Sequence, residues 1–300
     1  MNRKLKNLKL EFFYLRRAFR EHRRGFKYLY NRYFLAPKIL KAKKIWEKPV
    51  NNFNLSIHVL TCHKDLIMTL WSLASFYRVN KEVGQLYLHN DGSLTIRDKK
   101  ILNSFFPQTR LVEPNEVMAE NCLTPYPLIK KFRENKDYFL LKKIIDTYFL
   151  SDKKYRLIID TDLLWFDEPK EIENEIRNGC QNSLMMANNS FGYVYFKNGE
   201  KINQELASFN SGIVLYDKEN FNLAKLEEYL NQIDEQNQKN THFIEQAGFA
   251  WCLHNLKKMD DKKYVIKDGV GEGVIIKHYT SPRRPLFFIE GMEKLKEKIL

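Results

Sequence analysis

Two carboxylates, Asp160 and Asp162, stand one residue apart in the apolar run LIIDTDLLWF (157–166). A charge moved from water into a protein interior is costly unless it is paired or ligates a metal, and two like charges also repel. Alternate residues of an extended chain share a side, so both carboxylates can meet one hard divalent cation through oxygen ligands. A cation held in this way keeps coordination positions open for phosphate oxygens. The plain alternative is a surface DxD turn, and the apolar strand leading into the pair weighs against it.

The elements that must position these acids read as an α/β fold. LSIHVLT (55–61) has the apolar, partly β-branched character of a buried strand, and a helix from about 65 to 77 follows. GQLYLHNDGSLT (84–95) is a second strand running into an Asn-Asp-Gly turn, with Ser93 placed to cap a helix over 95–104. TRLVEP (109–114) is a short strand ended by Pro114, 124–150 is mostly helical, and YRLIIDTD returns to the sheet. This strand, helix, strand order predicts a mainly parallel sheet with right-handed crossovers, in which ligands bind beyond the carboxyl ends of the strands. Further strands are expected at SLMMANN (183–189), GYVYF (192–196, as a hairpin arm), FNSGIVLYD (209–217) and GVIIKHY (273–279). Helices are expected over 219–236 and 242–258.

YRLIIDTDLLWFDEP resembles the strand and DxD segment of GT-A-fold glycosyltransferases. The downstream order is similar to that of the retaining family 8 enzymes, which include bacterial lipopolysaccharide galactosyl- and glucosyltransferases. FNSGIVLYD resembles that family's Asn-Ser-Gly strand, IEQAGFAWCL its acid-Gln helix start, and VIIKHYTSPRRP its closing segment. The resemblance spans about residues 55–287 and implies a Rossmann-like GT-A domain (51–300) that moves a hexose from a nucleoside diphosphate sugar, a UDP-sugar first of all. The acceptor would be a glycan or lipid-linked hydroxyl, with configuration retained, in cell-surface polysaccharide or lipopolysaccharide synthesis.

The resemblance also implies roles. Asp160, Asp162 and His278 match metal ligands, and the mixed nitrogen and oxygen set suits Mn²⁺, with Mg²⁺ as the alternative. Asn210, Ser211 and Gly212 match the donor-sugar pocket, Gln246 the side chain near the anomeric carbon, and Glu245 its acidic neighbour. Either Lys142 or Lys143 matches a basic residue near the donor, Lys142 being favoured. Thr61, Cys62 and His63 match the base-binding position, and Asp91 is either a pocket-edge residue or part of a plain turn. The closing segment departs from the family pattern with Ser281 for glycine, Arg284 for lysine and Leu286 for tryptophan; Arg284 can still hold a diphosphate bidentately. His63 stands where the family has an acid.

Of 50 Lys+Arg and 37 Asp+Glu, residues 1–50 hold 16 and 3, which leaves 34 of each for residues 51–300. The whole excess of +13 therefore sits in one N-terminal extension. There Leu5, Leu8, Phe12, Leu15, Phe19, Phe26, Leu29 and Tyr33 form an apolar stripe at helical spacing, broken only at His22. Such a helix fits an anionic membrane surface, or it docks its stripe on its own domain or a second copy; nucleic acid ranks below both. Cys62, Cys122, Cys180 and Cys252 are far apart with no CxxC pair, which speaks against a zinc site or a disulfide framework. No apolar run is long enough to span a bilayer or to form a leader, so a cytoplasmic protein, soluble or peripheral, is expected. Two rivals remain. A sugar-phosphate nucleotidyltransferase would need a Gly-rich loop where TCHKDL has no glycine, and a non-catalytic scaffold would keep the fold without turnover.

Overall fold

The computed structural model describes residues 3–42, 44–116, 122–188, 193–238 and 241–300, with side chains from residue 8 onward. Among the described residues, ten strands form two sheets. They are β1 (Leu55–Thr61), β2 (Gln85–Asn90), β3 (Arg110–Val112), β4 (Tyr155–Ile159), β5 (Leu163–Trp165), β6 (Ser183–Ala187), β7 (Phe209–Asp217), β8 (Leu256–Lys258), β9 (Tyr264–Val265) and β10 (Ile276–His278). The main sheet runs β3-β2-β1-β4-β7-β6-β8, and the small one β5-β10-β9. β1 is parallel to β2 and β4, while β7 is antiparallel to both β4 and β6. The expected mixed, mainly parallel architecture is thus observed.

Burial explains the apolar runs. Leu157 and Ile159 pack on one face of the main sheet and Ile158 on the other, so β4 is apolar throughout because both of its faces are covered. The helix Leu66–Val79 is buried almost all round, since it lies between the main sheet and the small one. Its Ser75 hydroxyl accepts from Trp165 N–H at 3.1 Å, and Arg78 donates to the carbonyl of Phe166 at 2.9 Å.

Several expectations are corrected. Thr95, not Ser93, caps the helix Ile96–Phe105, in a reciprocal box with Asp98, while the Ser93 hydroxyl accepts from His63 N–H. GYVYF forms no strand among its described residues; Gly192 lies outside them, and Tyr195 and Phe196 make only single bridges to Lys201 and Ile233. The sequence expected as helix 242–258 divides into a helix, His242–Cys252, and β8. GVIIKHY does supply the last strand, β10, which lies in the small sheet.

The N-terminal helices Arg3–Arg20 and Gly25–Tyr30 pack on the domain through a face the stripe does not predict. Tyr14, Ala18, Tyr28, Ala36 and Ile39 are buried in the same core as Trp71 and Phe288. Asn31 donates to the Phe288 carbonyl at 2.7 Å and Trp71 to that of Ala36 at 3.1 Å. Most of the stripe stays outside, with Leu8, Phe12 and Phe26 between 66% and 81% exposed, while Leu15 packs half-buried against the same core; the side chain of Leu5 lies outside the described residues.

Candidate functional site

β4 ends at Ile159, and the chain delivers Asp160 and Asp162 at its carboxyl edge. The amide of Asp160 donates to the Gly212 carbonyl at 2.9 Å, which continues the β4–β7 ladder and brings the Asn-Ser-Gly run alongside. Against β6 the register of β7 jumps, with Met185 opposite Val214 and Met186 opposite Asn210, so Ser211 to Ile213 are released toward β4. β10 runs antiparallel to β5 and sets His278 opposite Leu163; Tyr279 N–H donates to the Asp162 carbonyl at 2.8 Å. Two sheets therefore meet at this cluster.

Asp160, Asp162 and His278 each offer a ligand atom, all within 4.8 Å of one another. His278 Nε2 lies 3.0 Å from Asp162 and 3.4 Å from Asp160. Its orientation is fixed from behind. Asn210 Oδ1 accepts from Gly212 N–H at 2.9 Å and so accepts from His278 Nδ1, also at 2.9 Å, which assigns a proton to Nδ1 and turns Nε2 toward the acids. A Cβ on Gly212 would fall 2.4 Å from His278 Nδ1, so the glycine is required by close approach. Burial opposes charge on His278, yet Asp162 and Asp160 carry its pKa up to about 9. Burial would likewise raise Asp162, but His278 and Arg284 hold it well below the usual carboxylate range. In this state a proton on Nε2 does what a cation between the three groups would do. Two carboxylates and an oriented imidazole fit a divalent metal, and Asp160, with 23% of its side chain exposed, keeps one side open.

A second charged layer adjoins the first. Lys143 is buried, yet its Nζ lies 2.7 Å from Asp160 Oδ1, donates to the Ser211 carbonyl at 2.6 Å and stands 3.4 Å from Glu245. Burial opposes its charge, but Asp160 and Glu245 keep it protonated. Ser211 Oγ donates to Glu245 at 2.8 Å, and burial pushes Glu245 up to about 7 in spite of Lys143. Asn210 Nδ2 donates to Gln246 Oε1 at 2.8 Å, so one side chain orients both His278 and Gln246. Lys142, the favoured lysine, is elsewhere: it donates to the Pro114 carbonyl at 2.7 Å, and Lys143 occupies the site. The two begin the helix Lys142–Phe149 and point about 100° apart.

Arg284 closes the far side, with Nε 3.1 Å from Asp162 and an outer nitrogen 2.9 Å from Asp65. Thr61, Cys62 and His63 lie at the carboxyl end of β1, near Asp65. The Thr61 hydroxyl pairs with Thr69 at 2.7 Å, burial pushes the Cys62 thiol up to about 12, and His63, 61% exposed, pairs with Asp98 at 2.7 Å. Asp91 serves the turn, accepting from Ser93 N–H at 2.8 Å.

Sequence reasoning missed Asp65, Tyr14 and His242. Tyr14, from the N-terminal helix, is bound to Ser281 and lies in the field of Arg284; burial raises its pKa. Burial lowers His242, while Asp160 pulls it the other way. The one signal for Asp65 was its place just after the first strand; Tyr14 and His242 had none.

The architecture matches solved structures. WbbM, a bifunctional glycosyltransferase in its apo form, superposes with a TM-score of 0.53 and 12% identity over 84% of this chain and 52% of that one. The apo glycosyltransferase GlyE of Streptococcus pneumoniae TIGR4 gives a TM-score of 0.50 and 12% identity over 82% of this chain and 60% of its own. The chain thus spans about half of the one and three-fifths of the other. No protein-family model matches the sequence, and no curated protein does. What is shared is the fold, and it is the GT-A glycosyltransferase fold expected from the DxD strand.

Proposed function

We propose that the chain is a metal-dependent glycosyltransferase that moves a hexose from a nucleoside diphosphate sugar, a UDP-sugar first of all, to a hydroxyl of a glycan or lipid-linked acceptor. The observation that carries this is the convergence of Asp160, Asp162 and His278, all within 4.8 Å, at the strand ends of a GT-A fold. A divalent cation held by these three, Mn²⁺ on the donor set, would supply positive charge to a departing diphosphate. Arg284 adds a fixed guanidinium at the same edge, able to favour developing negative charge over the ground state. Lys143 holds Asp160 in place and offsets the buried charge of Glu245. Asn210 orients His278 and Gln246 together, so metal ligation and the sugar-facing side chain share one support. Transfer with retention, Gln246 lying beside the reacting carbon, and a role in cell-surface polysaccharide or lipopolysaccharide synthesis on the cytoplasmic side complete the reading.

Calorimetric titration of UDP, with GDP and CDP beside it, with and without Mn²⁺, tests the proposal. Manganese-dependent binding of one nucleotide, lost in Asp162→Asn, is expected. Failure of all three to bind would favour a non-catalytic scaffold.

A further inference from the structure

Most of the apolar stripe of the N-terminal helices faces solvent: Leu8, Phe12, Phe19, Phe26 and Tyr33 are exposed, while Leu15 and Leu29 are half-buried. On the helix Arg3–Arg20 the docked residues Tyr14 and Ala18 and the stripe residues Phe12 and Phe19 lie about 100° to 160° apart around the axis, at about 100° per residue. Phe12 and Phe19 line one shallow groove with Arg16 and Arg20. Phe19 packs edge-on against Phe26 at 5.2 Å and carries the apolar surface onto the next helix, where Phe26 is 81% exposed. Beyond it Tyr30 and Phe34 stack at 6.0 Å and are 55% and 66% exposed. Arg16, Arg20, Arg23 and Arg24 are exposed beside this patch. The acids of the segment are turned to other use: Glu11 pairs with Arg32 at 2.5 Å, and Glu21 with Arg17.

Large aromatic groups held in water beside a dense positive field need an occupant that accepts both. A second copy would bring one +13 segment against another, and the remainder of the chain carries no net negative charge to offset it. Phenylalanine and leucine offer no hydrogen bond to a base edge, but they gain by entering hydrocarbon. We infer that the outer face of residues 8–34 is a docking surface for an anionic lipid bilayer, with Phe12, Phe19 and Phe26 entering the headgroup boundary and the flanking arginines meeting lipid phosphates. Bilayer contact lies on the same helix that sends Tyr14 to Ser281, about one helix diameter from the closing segment of the site. The inference does not rest on the proposed transfer activity.

The full chain is sedimented with vesicles of phosphatidylcholine, with and without phosphatidylglycerol. Binding only to the anionic vesicles, weakened by salt, is expected. Phe12→Ser with Phe26→Ser should weaken it by about tenfold or more, and Arg16→Glu with Arg20→Glu by at least about thirtyfold. All four side chains are exposed, so the thermal midpoint and Mn²⁺-UDP titration of each variant should match the parent, and this separates failure of docking from failure of the donor site. No binding of the parent chain to anionic vesicles would overturn the inference. So would undiminished binding by both variants, a dimer dispersed by the phenylalanine pair while vesicle binding persists, or retention of single-stranded RNA where vesicles are not retained.

Discussion

At the strand ends, Lys143, His278 and Arg284 lie 2.7, 3.0 and 3.1 Å from carboxylates and are largely withdrawn from water; on the N-terminal helices, Arg16, Arg20, Arg23 and Arg24 stand in solvent beside exposed phenylalanine. Cations in the first region act through fixed pairs. Each desolvated charge requires its partner, and removing one member leaves the rest uncompensated. Cations in the second act through a summed field that salt screens over roughly 8–10 Å. Single substitutions should therefore be severe in one region and nearly silent in the other.

The largest effect is expected from Asp162→Asn. It removes a proposed metal ligand and leaves His278 and Arg284 facing a neutral amide, so the proposed transfer should fall by roughly a thousandfold and stability by about 3 kcal/mol, read from kcat and denaturant midpoints. Gly212→Ala should come next, costing roughly a hundredfold in activity because the new Cβ displaces His278. Gly271→Ala, where a Cβ meets nothing within 4 Å, should leave activity unchanged; equal damage from both would break the close-approach account.

The neighbouring lysines give a sharper test. Lys143→Met deprives Asp160 and Glu245 of their shared cation and should lower kcat by about a hundredfold, while Lys142→Met should change it by less than about threefold. A smaller effect is expected from pH. Glu245 has a folded pKa of about 7, above its ordinary 4.5, so the folded state binds the extra proton and its contribution to stability is complete below about 4.5 and lost as pH rises through 7. The metal-free protein should lose roughly 5 °C of thermal midpoint over that window, and Glu245→Gln should flatten the slope. Smallest of all, Phe26→Ser on the outer face should move the midpoint by less than about 1 °C.

Much of the site was legible because its residues sit in strands of unmistakable character. Phe209–Asp217 matches its expected strand at both ends, since every residue of it is buried and polar residues bound it. Asp160 and Asp162 were marked by acids set into an apolar run, whereas His278 was singled out only through the family resemblance. Lys143 was not legible. The helix that carries it follows a tighter turn, Lys136–Leu141, with a non-helical Tyr138, and that kink erases the register from which one lysine could be chosen over the other. GYVYF alternates like a strand, but its described residues find no extended partner.

The N-terminal helices show the same division. Their sequence determined an apolar stripe and a basic surround, because periodicity follows from the geometry of the helix alone. It did not determine which face would dock: the face carrying Tyr14 and Ala18, flanked by Leu10 and Leu15, packs on the core around Trp71 and Phe288, where close packing selects by fit as well as by hydrophobicity. Likewise the sequence by itself determined a buried acid pair in need of a cation, since desolvation of like charges allows little else. Only the tertiary structure decided which cations answer it, because Lys143, His278 and Arg284 come from distant segments that meet through the packing of the helix Lys142–Phe149 on β4 and the pairing of β4 with β7 and of β5 with β10.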